Sequence, residues 1–158
     1  MTDVRKQKTE KNSGSRIKIM HLTTDSQLGG TEKMILAFLK NSSGRFQNSL
    51  IILKGDGALS QAAREYNIKT YALGIKHIGH IWKLCRLYKI LKQERPHVLQ
   101  SYLFHANIAA RIIGSLAGIR HIISGQRNID AWRKWHHTLI DRITSPLAES
   151  IISNTEAG

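Results

Sequence analysis

Short apolar runs alternate with amphipathic stretches from residue 16 to the end of the chain. The apolar runs are not alternating and include β-branched residues, as burial on both faces of a sheet requires. They predict six strands, over Arg16–Leu22, Ser49–Leu53, Lys69–Leu73, His97–Tyr102, Arg120–Ser124 and Ser150–Asn154. Because a stretch long enough for a crossover follows each run, the pattern predicts βαβ units and a doubly wound α/β domain with a parallel sheet.

Helical spacing of apolar residues predicts five helices between these strands. They are expected over Thr31–Asn41, Leu59–Tyr66, Ile78–Glu94, Ala106–Ala117 and Trp132–Ser145. Residues with special backbone preferences mark several ends. Asn67 suits a left-handed cap, Pro96 stops the third helix and Gly118 ends the fourth. Thr31 is expected to cap the first helix.

The charge of the chain is strongly one-sided, with 24 Lys and Arg against 11 Asp and Glu, which gives a net charge of +13. Such a surplus favours a polyanionic or acidic-lipid partner. Residues 1–15 are polar and basic with no apolar segment behind them, so we expect a disordered arm rather than a secretion signal, followed by one domain over 16–158. No apolar run approaches the ~20 residues of a membrane span. The sequence therefore predicts a cytoplasmic location, with peripheral attachment to the inner face of a membrane as a further hypothesis.

The third predicted helix is basic and amphipathic. Its apolar stripe is expected to contain Ile81, Leu84, Tyr88 and Leu91, and its cations are Lys83, Arg86, Lys89 and Lys92. Cys85 lies within the same stretch and is expected to be buried. Trp132 and Trp135 add aromatic residues among cations further along. This composition suits an anionic membrane surface, and the alternative is a core-facing stripe with a solvated basic face. A nucleic-acid binder is a rival class, but no nucleic-acid module is visible and no nucleic-acid partner is expected.

Residues suited to chemistry follow three of the strands, in segments 23–32, 102–107 and 124–130. In doubly wound sheets, ligands bind outside the carboxyl ends of the strands. Gly29 and Gly30 would let an anion approach the backbone N–H groups at a helix start, or they simply form a tight turn. They belong neither to the three-glycine dinucleotide fingerprint nor to a phosphate-binding P-loop.

The other two segments supply a histidine and an arginine. His105 lies at a helix start, where the dipole favours a neutral imidazole that accepts a proton or bonds a sugar hydroxyl; capping or packing is the alternative role. Arg127 and Asn128 follow a strand end, where the guanidinium could hold a carboxylate or phosphate or could simply be a surface group. We expect the Gly29–Gly30 loop, His105 and Arg127 to converge at one edge of the sheet.

Taken in order, the segments LGGTEKMILAFLK, ERPHVLQSYLFHANIAAR, LAGIRHIISGQRN and SIISNTEAG resemble the N-terminal domain of the retaining glycosyltransferases of family 4. This resemblance implies the GT-B architecture, in which two Rossmann-like domains face each other across a cleft. It also implies metal-independent transfer, without a further cofactor, from a nucleotide-sugar to a glycan or lipid-linked acceptor. In this family the N-terminal domain holds the acceptor.

Carried over residue by residue, the resemblance implies that Gly29 and Gly30 neighbour the donor diphosphate. Glu32 matches the acidic position that follows. Acceptor binding is then expected at Glu32, Asn107, Arg127 and Asn128, and a catalytic role at His105. Many members carry a histidine where this chain has Gln126-Arg127-Asn128, so Arg127 is a substitute for it.

The sequence contains no counterpart of the family's second, nucleotide-binding domain. We therefore expect the chain to be inactive without a separate C-terminal domain polypeptide. The alternative is a non-catalytic module that anchors a separately encoded catalytic half.

Overall fold

The computed structural model describes residues 16–42, 44–75, 78–126 and 135–153. Six parallel strands form one sheet in the order β3-β2-β1-β4-β5-β6. The strands are β1 (Lys18–Thr23), β2 (Gln47–Ile52), β3 (Lys69–Ala72), β4 (Val98–Tyr102), β5 (His121–Gln126) and β6 (Ser150–Ser153). The predicted doubly wound, Rossmann-like α/β domain is confirmed, and each strand lies within a few residues of its predicted position. The predicted arm, residues 1–15, lies outside the described residues.

Within the described residues, five α-helices connect the strands: α1 (Gly30–Ser42), α2 (Ala58–Glu65), α3 (Leu84–Glu94), α4 (Phe104–Leu116) and α5 (Trp135–Thr144). The first turns of the predicted third helix form a 3-10 helix over Ile78–Lys83 instead. Thr31 does not cap α1, because the helix already begins one residue earlier and the Gly29 carbonyl accepts the first helical bond from Lys33 N at 3.0 Å. Asn67 does adopt the expected left-handed conformation, with φ 57°.

Apolar residues fill both faces of the sheet. One cluster lies between the sheet and α3 and α4, and includes Met20, Leu22, Ile51, Leu87, Leu91, Leu99 and Ala110. The other lies between the sheet and α1 and α2, and includes Ile35, Leu39, Leu50, Ile52, Leu59 and Tyr102. Consecutive strand residues thus enter opposite clusters, which explains why the strands are apolar runs rather than alternating patterns.

Strand order reverses between β1 and β4. From β1 the chain proceeds through β2 to β3 on one side, and then returns to place β4 on the other side of β1. Thr23 and Tyr102 are register partners at the carboxyl ends of these two strands. The loops that leave β1 and β4 therefore open side by side at the topological switch point, where ligands of such folds bind.

A buried ion pair joins α4 to α5, and the sequence gave no sign of it. Arg111 of α4 is fully buried, and its guanidinium contacts the Asp141 carboxylate of α5. Its Nε donates to the Ser124 hydroxyl of β5 at 2.9 Å, and one Nη also reaches Thr144 Oγ1 at 3.3 Å. Because burial of a charge is costly unless it is paired, these contacts fix α5 against α4 and β5.

Two expectations about α3 are wrong. Cys85 is exposed rather than buried. Tyr88 is also exposed, and the buried residues of the helix are Leu87, Ile90 and Leu91. The α-helix proper starts only at Leu84, after a 3-10 helix of different pitch. Leu91 is buried and Leu84 packs against the core, so Tyr88 is the misplaced member of the predicted stripe within α3.

Candidate functional site at the switch point

The loop between β1 and α1 is held in place by its own polar groups. Asp25 Oδ1 accepts the backbone N–H of Ser26 at 2.7 Å, and Oδ2 forms an ion pair with Lys54 at 2.7 Å. The hydrogen bond from the Lys54 ammonium lowers the pKa of the Asp25 carboxyl. The Ser26 carbonyl accepts the N–H of Leu59 at 3.0 Å, which ties the loop to the start of α2. The loop is therefore preorganised by contacts to the elements beside it.

The turn between β4 and α4 carries backbone strain. Leu103, its single residue, has φ 70° and ψ 155°, in a region that L side chains rarely adopt. Such a conformation costs about 1–3 kcal/mol and persists only where surrounding contacts impose it. One such contact involves Thr24, the residue that follows β1: Ala106 N donates to Thr24 Oγ1 at 3.2 Å. This bond joins the two switch-point loops.

The two glycines at the start of α1 have different surroundings. A Cβ on Gly30 would meet no atom within 4 Å, so the space beside this residue is open. A Cβ on Gly29 would lie 2.8 Å from Glu32 Oε2, so the carboxylate rests against the Gly29 backbone. Access for a ligand to the N-terminus of α1 is thus on the Gly30 side.

Two buried polar atoms at this end of the sheet have no hydrogen-bond partner within the described residues: Thr23 Oγ1 and Glu32 Oε1. Thr23 is 0% exposed and Glu32 is 5% exposed. Buried polar groups are nearly always hydrogen-bonded, so each exception requires an explanation. The sequence marked Glu32, but Thr23 reads as an ordinary end of a strand and gave no signal.

His105 lies in the first turn of α4, on an exposed position of the switch-point face. Phe104 packs edge-on against both His105 and His137, with ring centroids 5.4 Å apart in each pair. The structure thus brings His105 to the same sheet edge as Gly29 and Gly30. Arg127 and Asn128 lie outside the described residues, so their convergence on this edge stays a prediction.

Asn107 has a different place from the one expected. Its side chain is buried, Oδ1 accepts the Ser101 hydroxyl at 2.8 Å, and Nδ2 donates to the Gly125 carbonyl at 3.1 Å. Both ends of the amide are therefore engaged inside the domain. The sequence predicted that Asn107 binds the sugar acceptor. In the structure its side chain instead aligns α4 with β4 and β5.

A buried histidine network lies beneath the site, and the sequence gave no sign of it. His21 is fully buried in β1, with Nδ1 3.0 Å from the Tyr102 hydroxyl and Nε2 3.4 Å from Asn48 Oδ1. Desolvation by burial lowers the pKa of His21 to about 4. The imidazole is therefore neutral, and because Asn48 Oδ1 only accepts, Nε2 carries the proton and Nδ1 accepts from Tyr102. The Asn48 amide continues the network by donating to Ser42 Oγ at 2.9 Å.

The cations of α3 divide into two pairs. Lys83 Nζ donates to the Gly74 carbonyl at 2.7 Å, and Arg86 donates to the Ala72 carbonyl at 3.3 Å. These two side chains hold the chain that leaves β3. Lys89 and Lys92 are exposed on the helix, as is Trp82 just before it. Only part of the predicted basic face is therefore available to a partner without loss of an internal bond.

The described residues contain no group of three or more His, Cys, Asp or Glu side chains placed to hold a metal ion. Among the same residues, no helix is both long enough and apolar enough to cross a membrane.

Similarity to known proteins lies in the fold. No protein-family model matches the sequence, and no curated protein matches it either. Solved structures do match: HepE from Anabaena in complex with UDP-glucose superposes with a TM-score of 0.69 at 17% identity, over 90% of this chain and 38% of that one. MurG from Acinetobacter baumannii gives a TM-score of 0.64 at 16% identity, over 87% and 41%. UDP-N-acetylglucosamine 2-epimerase from Rickettsia bellii gives 0.63 at 12%, over 90% and 40%.

These comparisons define the class of fold. The chain spans about two fifths of the length of these structures and has the architecture of a single half-domain of GT-B enzymes. An epimerase is among the structures that share this fold with HepE and MurG, so the fold does not by itself determine a reaction. Membership of family 4 and a retaining mechanism stay predictions from the sequence.

Proposed function

We propose that this domain forms the acceptor-side half of a retaining, nucleotide-sugar-dependent glycosyltransferase of family 4. The observation that carries the proposal is the pairing of an open, glycine-built helix start with the His105 turn at the switch point. In this assignment, Gly29 and Gly30 approach the donor diphosphate, and His105 accepts a proton or a hydroxyl hydrogen bond. Glu32, together with Arg127 and Asn128, faces a glycan or lipid-linked acceptor. Transfer requires a second, nucleotide-binding half, whichever polypeptide supplies it.

Physical chemistry supports the donor contact in this assignment. The N-terminus of α1 offers unpaired N–H groups and a favourable dipole to an anion, and the open space at Gly30 admits one. HepE is described in complex with UDP-glucose, and it shares this fold over nearly the whole of the present chain. The alternative role is a non-catalytic module that positions a separately encoded catalytic half. This module would need the same surfaces but no proton acceptor at His105.

A binding titration tests the donor contact directly. We expect UDP to shift the backbone amide resonances of Gly29 and Gly30 in ¹⁵N-labelled protein, because the diphosphate takes the N–H groups of the helix start. Gly30→Ala fills the open space and should raise the apparent Kd for UDP roughly tenfold. Gly44→Ala, just beyond the C-terminal end of α1, should leave the Kd unchanged. Shifts restricted to other parts of the domain would remove the diphosphate assignment.

A chimera tests the need for a second half. Residues 16–153 replace the equivalent segment of HepE, and UDP release from UDP-glucose is measured. We expect turnover by the chimera, none by the isolated chain and none by the remainder of HepE alone. Loss of turnover on His105→Ala in the chimera separates the enzymatic role from the anchoring role, since an anchor would retain it. Robust turnover by the isolated chain would show that no second half is needed.

A membrane surface is a second partner that specific side chains favour. Trp82 and Trp135 are 67% and 78% exposed, and Lys89 and Lys92 are exposed on α3, the helix that follows Trp82. Tryptophan favours the interfacial region of a bilayer, and each basic residue near an anionic surface contributes about 1 kcal/mol. We therefore propose peripheral binding to anionic membranes, which would place the domain near a lipid-linked acceptor on the inner face.

Vesicle co-sedimentation distinguishes the two cation pairs of α3. Lys89→Gln with Lys92→Gln should weaken binding to anionic vesicles severalfold, and high salt should weaken binding by the unsubstituted protein. The control pair, Lys83→Gln with Arg86→Gln, should mainly lower thermal stability, because it removes bonds to the chain after β3. Equal binding by all forms, or equally strong binding to neutral vesicles, would contradict electrostatic attachment. Binding to random nucleic acid but not to vesicles would favour the rival class.

A further inference from the structure

Thr23 and Glu32 lie on two elements that meet at the same end of the sheet, at the carboxyl end of β1 and in the first turn of α1. Thr23 lies two residues beyond His21 on β1, so both side chains point to the same face, and the His21 ring contacts Phe38 of α1 with centroids 5.3 Å apart. Glu32 shares the buried face of α1 with Ile35 and Leu39. The axis of α1 runs antiparallel to β1. Along the helix, Glu32 lies about 9 Å beyond Phe38, and along the strand Thr23 lies about 7 Å beyond His21 in the same direction. Since Phe38 contacts His21, Glu32 is expected near the level of Thr23.

We infer that Thr23 Oγ1 and Glu32 Oε1 form a subsite for one hydroxyl group of a neutral sugar. Both atoms are buried, and neither has a partner within the described residues. The Glu32 carboxylate rests against the Gly29 backbone, and we take the open space at the next residue, Gly30, as the access to the subsite. The inference rests on the proposed function and names the chemistry that its acceptor-side half recognises.

The two atoms select a hydroxyl by their hydrogen-bonding capacities. A carboxylate only accepts hydrogen bonds, whereas a threonine hydroxyl has one proton to donate. A sugar hydroxyl accepts from Thr23 and donates to Glu32, so it satisfies both atoms at once. A phosphate oxygen cannot donate and is repelled by the carboxylate. An ammonium group donates to both atoms but leaves the Thr23 proton without an acceptor. Water has the same two capacities as the sugar hydroxyl, so the binding experiment has to distinguish a bound sugar from water.

Near-isosteric variants separate binding from structure. Thr23→Val and Glu32→Met remove the two polar atoms while retaining most of the side-chain volume. We expect both variants to fold with an unchanged or higher Tm, because no internal hydrogen bond is lost. The matched control is Thr144→Val. The Thr144 hydroxyl is also buried but donates to the Ile140 carbonyl at 2.8 Å, so its removal should lower the Tm.

Sugar binding is measured by amide chemical shifts with glucose, UDP and inorganic phosphate as separate probes. We expect glucose to shift resonances of Thr23, Thr24 and the first turn of α1. Its apparent Kd should rise roughly fivefold in Thr23→Val and roughly tenfold in Glu32→Met, because the latter loses a bond to a charged acceptor. The Thr144→Val control should bind glucose as the unsubstituted protein does.

Several outcomes overturn the inference. Equal glucose affinity in all forms would do so, as would an absence of glucose shifts, which leaves water as the only occupant. A fall in the Tm of Thr23→Val as large as that of Thr144→Val would show that the Thr23 hydroxyl serves the structure. UDP shifts without glucose shifts would leave the donor contact standing and remove this subsite. Glucose shifts without UDP shifts would support the subsite and remove the donor contact.

Discussion

Strands β2 and β6 have similar sequences but opposite surroundings. In β2, Leu50, Ile51 and Ile52 are 0% exposed, because helices cover both faces of the strand. In β6, Ile151 and Ile152 are each 47% exposed, although neighbouring strand residues point to opposite faces. Both runs read as buried parallel strands in the sequence. Apolar character therefore predicts that a segment is a strand, but cover on each face depends on elements elsewhere in the chain.

The same contrast separates the two sides of the domain. Around β1 the side chains are buried, and few of the described buried polar atoms there lack a hydrogen-bond partner. Around β6 and α5, large apolar side chains are exposed, including Trp135, Leu139, Ile143 and Leu147. The buried Arg111–Asp141 pair is the polar connection from α4 across to α5. The candidate site lies on the enclosed side, where its geometry can be held fixed.

The largest expected effect is a difference between equivalent truncations in the two strands. Ile51→Ala should lower the free energy of unfolding by roughly 2–5 kcal/mol, because it leaves a cavity in a closed core. Ile151→Ala should cost less than about 1 kcal/mol, since half of that side chain is already in water. Urea denaturation of both variants measures the difference. Similar losses would mean that β6 is as well covered in solution as β2, and the comparison would fail.

How far the sequence predicts this domain depends on the range of the interactions involved. The strands, most helix ends, the left-handed turn at Asn67 and the end of the fourth helix before Gly118 follow from neighbouring residues, and these predictions are confirmed. The pairing of His21 with Tyr102 joins residues 81 positions apart, and no local pattern carries that information. The missed strain at Leu103 and the exposed Cys85 have the same origin, because both depend on how one element meets another. The predicted roles of Gly29, Gly30, Glu32 and His105 stay predictions, although their positions at the switch point follow from strand order.

An intermediate effect on the free energy of unfolding is expected from the titration of His21, which lies on the enclosed side of the domain. The pKa of His21 is about 4 in the folded protein, because burial disfavours the charged ring, against a value of 6.5 for an exposed histidine. Between these values the unfolded chain binds more protons than the folded one, so stability falls as the pH is lowered through 6.5 toward 4. From pH 7.5 to pH 5 this group should cost about 2 kcal/mol of unfolding free energy.

Urea midpoints across this pH range check the titration. His21→Gln removes this titrating group. Between pH 4 and pH 6.5, the number of protons taken up on unfolding should therefore be smaller by close to one, and the unfolding free energy should depend less steeply on pH. The amide can still reach Tyr102 and Asn48, which limits the loss of stability at pH 7.5. An unchanged slope in His21→Gln would show that the ring is protonated as easily inside the sheet as in water.

The smallest expected effect distinguishes the two glycines of the candidate site. Gly30→Ala should raise the free energy of unfolding by about 0.5 kcal/mol, because alanine restricts the unfolded chain and its Cβ meets open space. Gly29→Ala should lower it instead, since the new Cβ would lie 2.8 Å from Glu32 Oε2 and the buried carboxylate would have to move.

A double-mutant cycle identifies the cause of this difference. If contact with the Glu32 carboxylate makes Gly29→Ala unfavourable, the same substitution in a Glu32→Ala background should cost nothing measurable. Gly30→Ala should be equally stabilising in both backgrounds, because its Cβ meets neither oxygen. An unchanged penalty for Gly29→Ala without Glu32 would assign that penalty to the backbone of the turn. The carboxylate would then be free to leave Gly29, and the fixed geometry on which the sugar subsite depends would be lost.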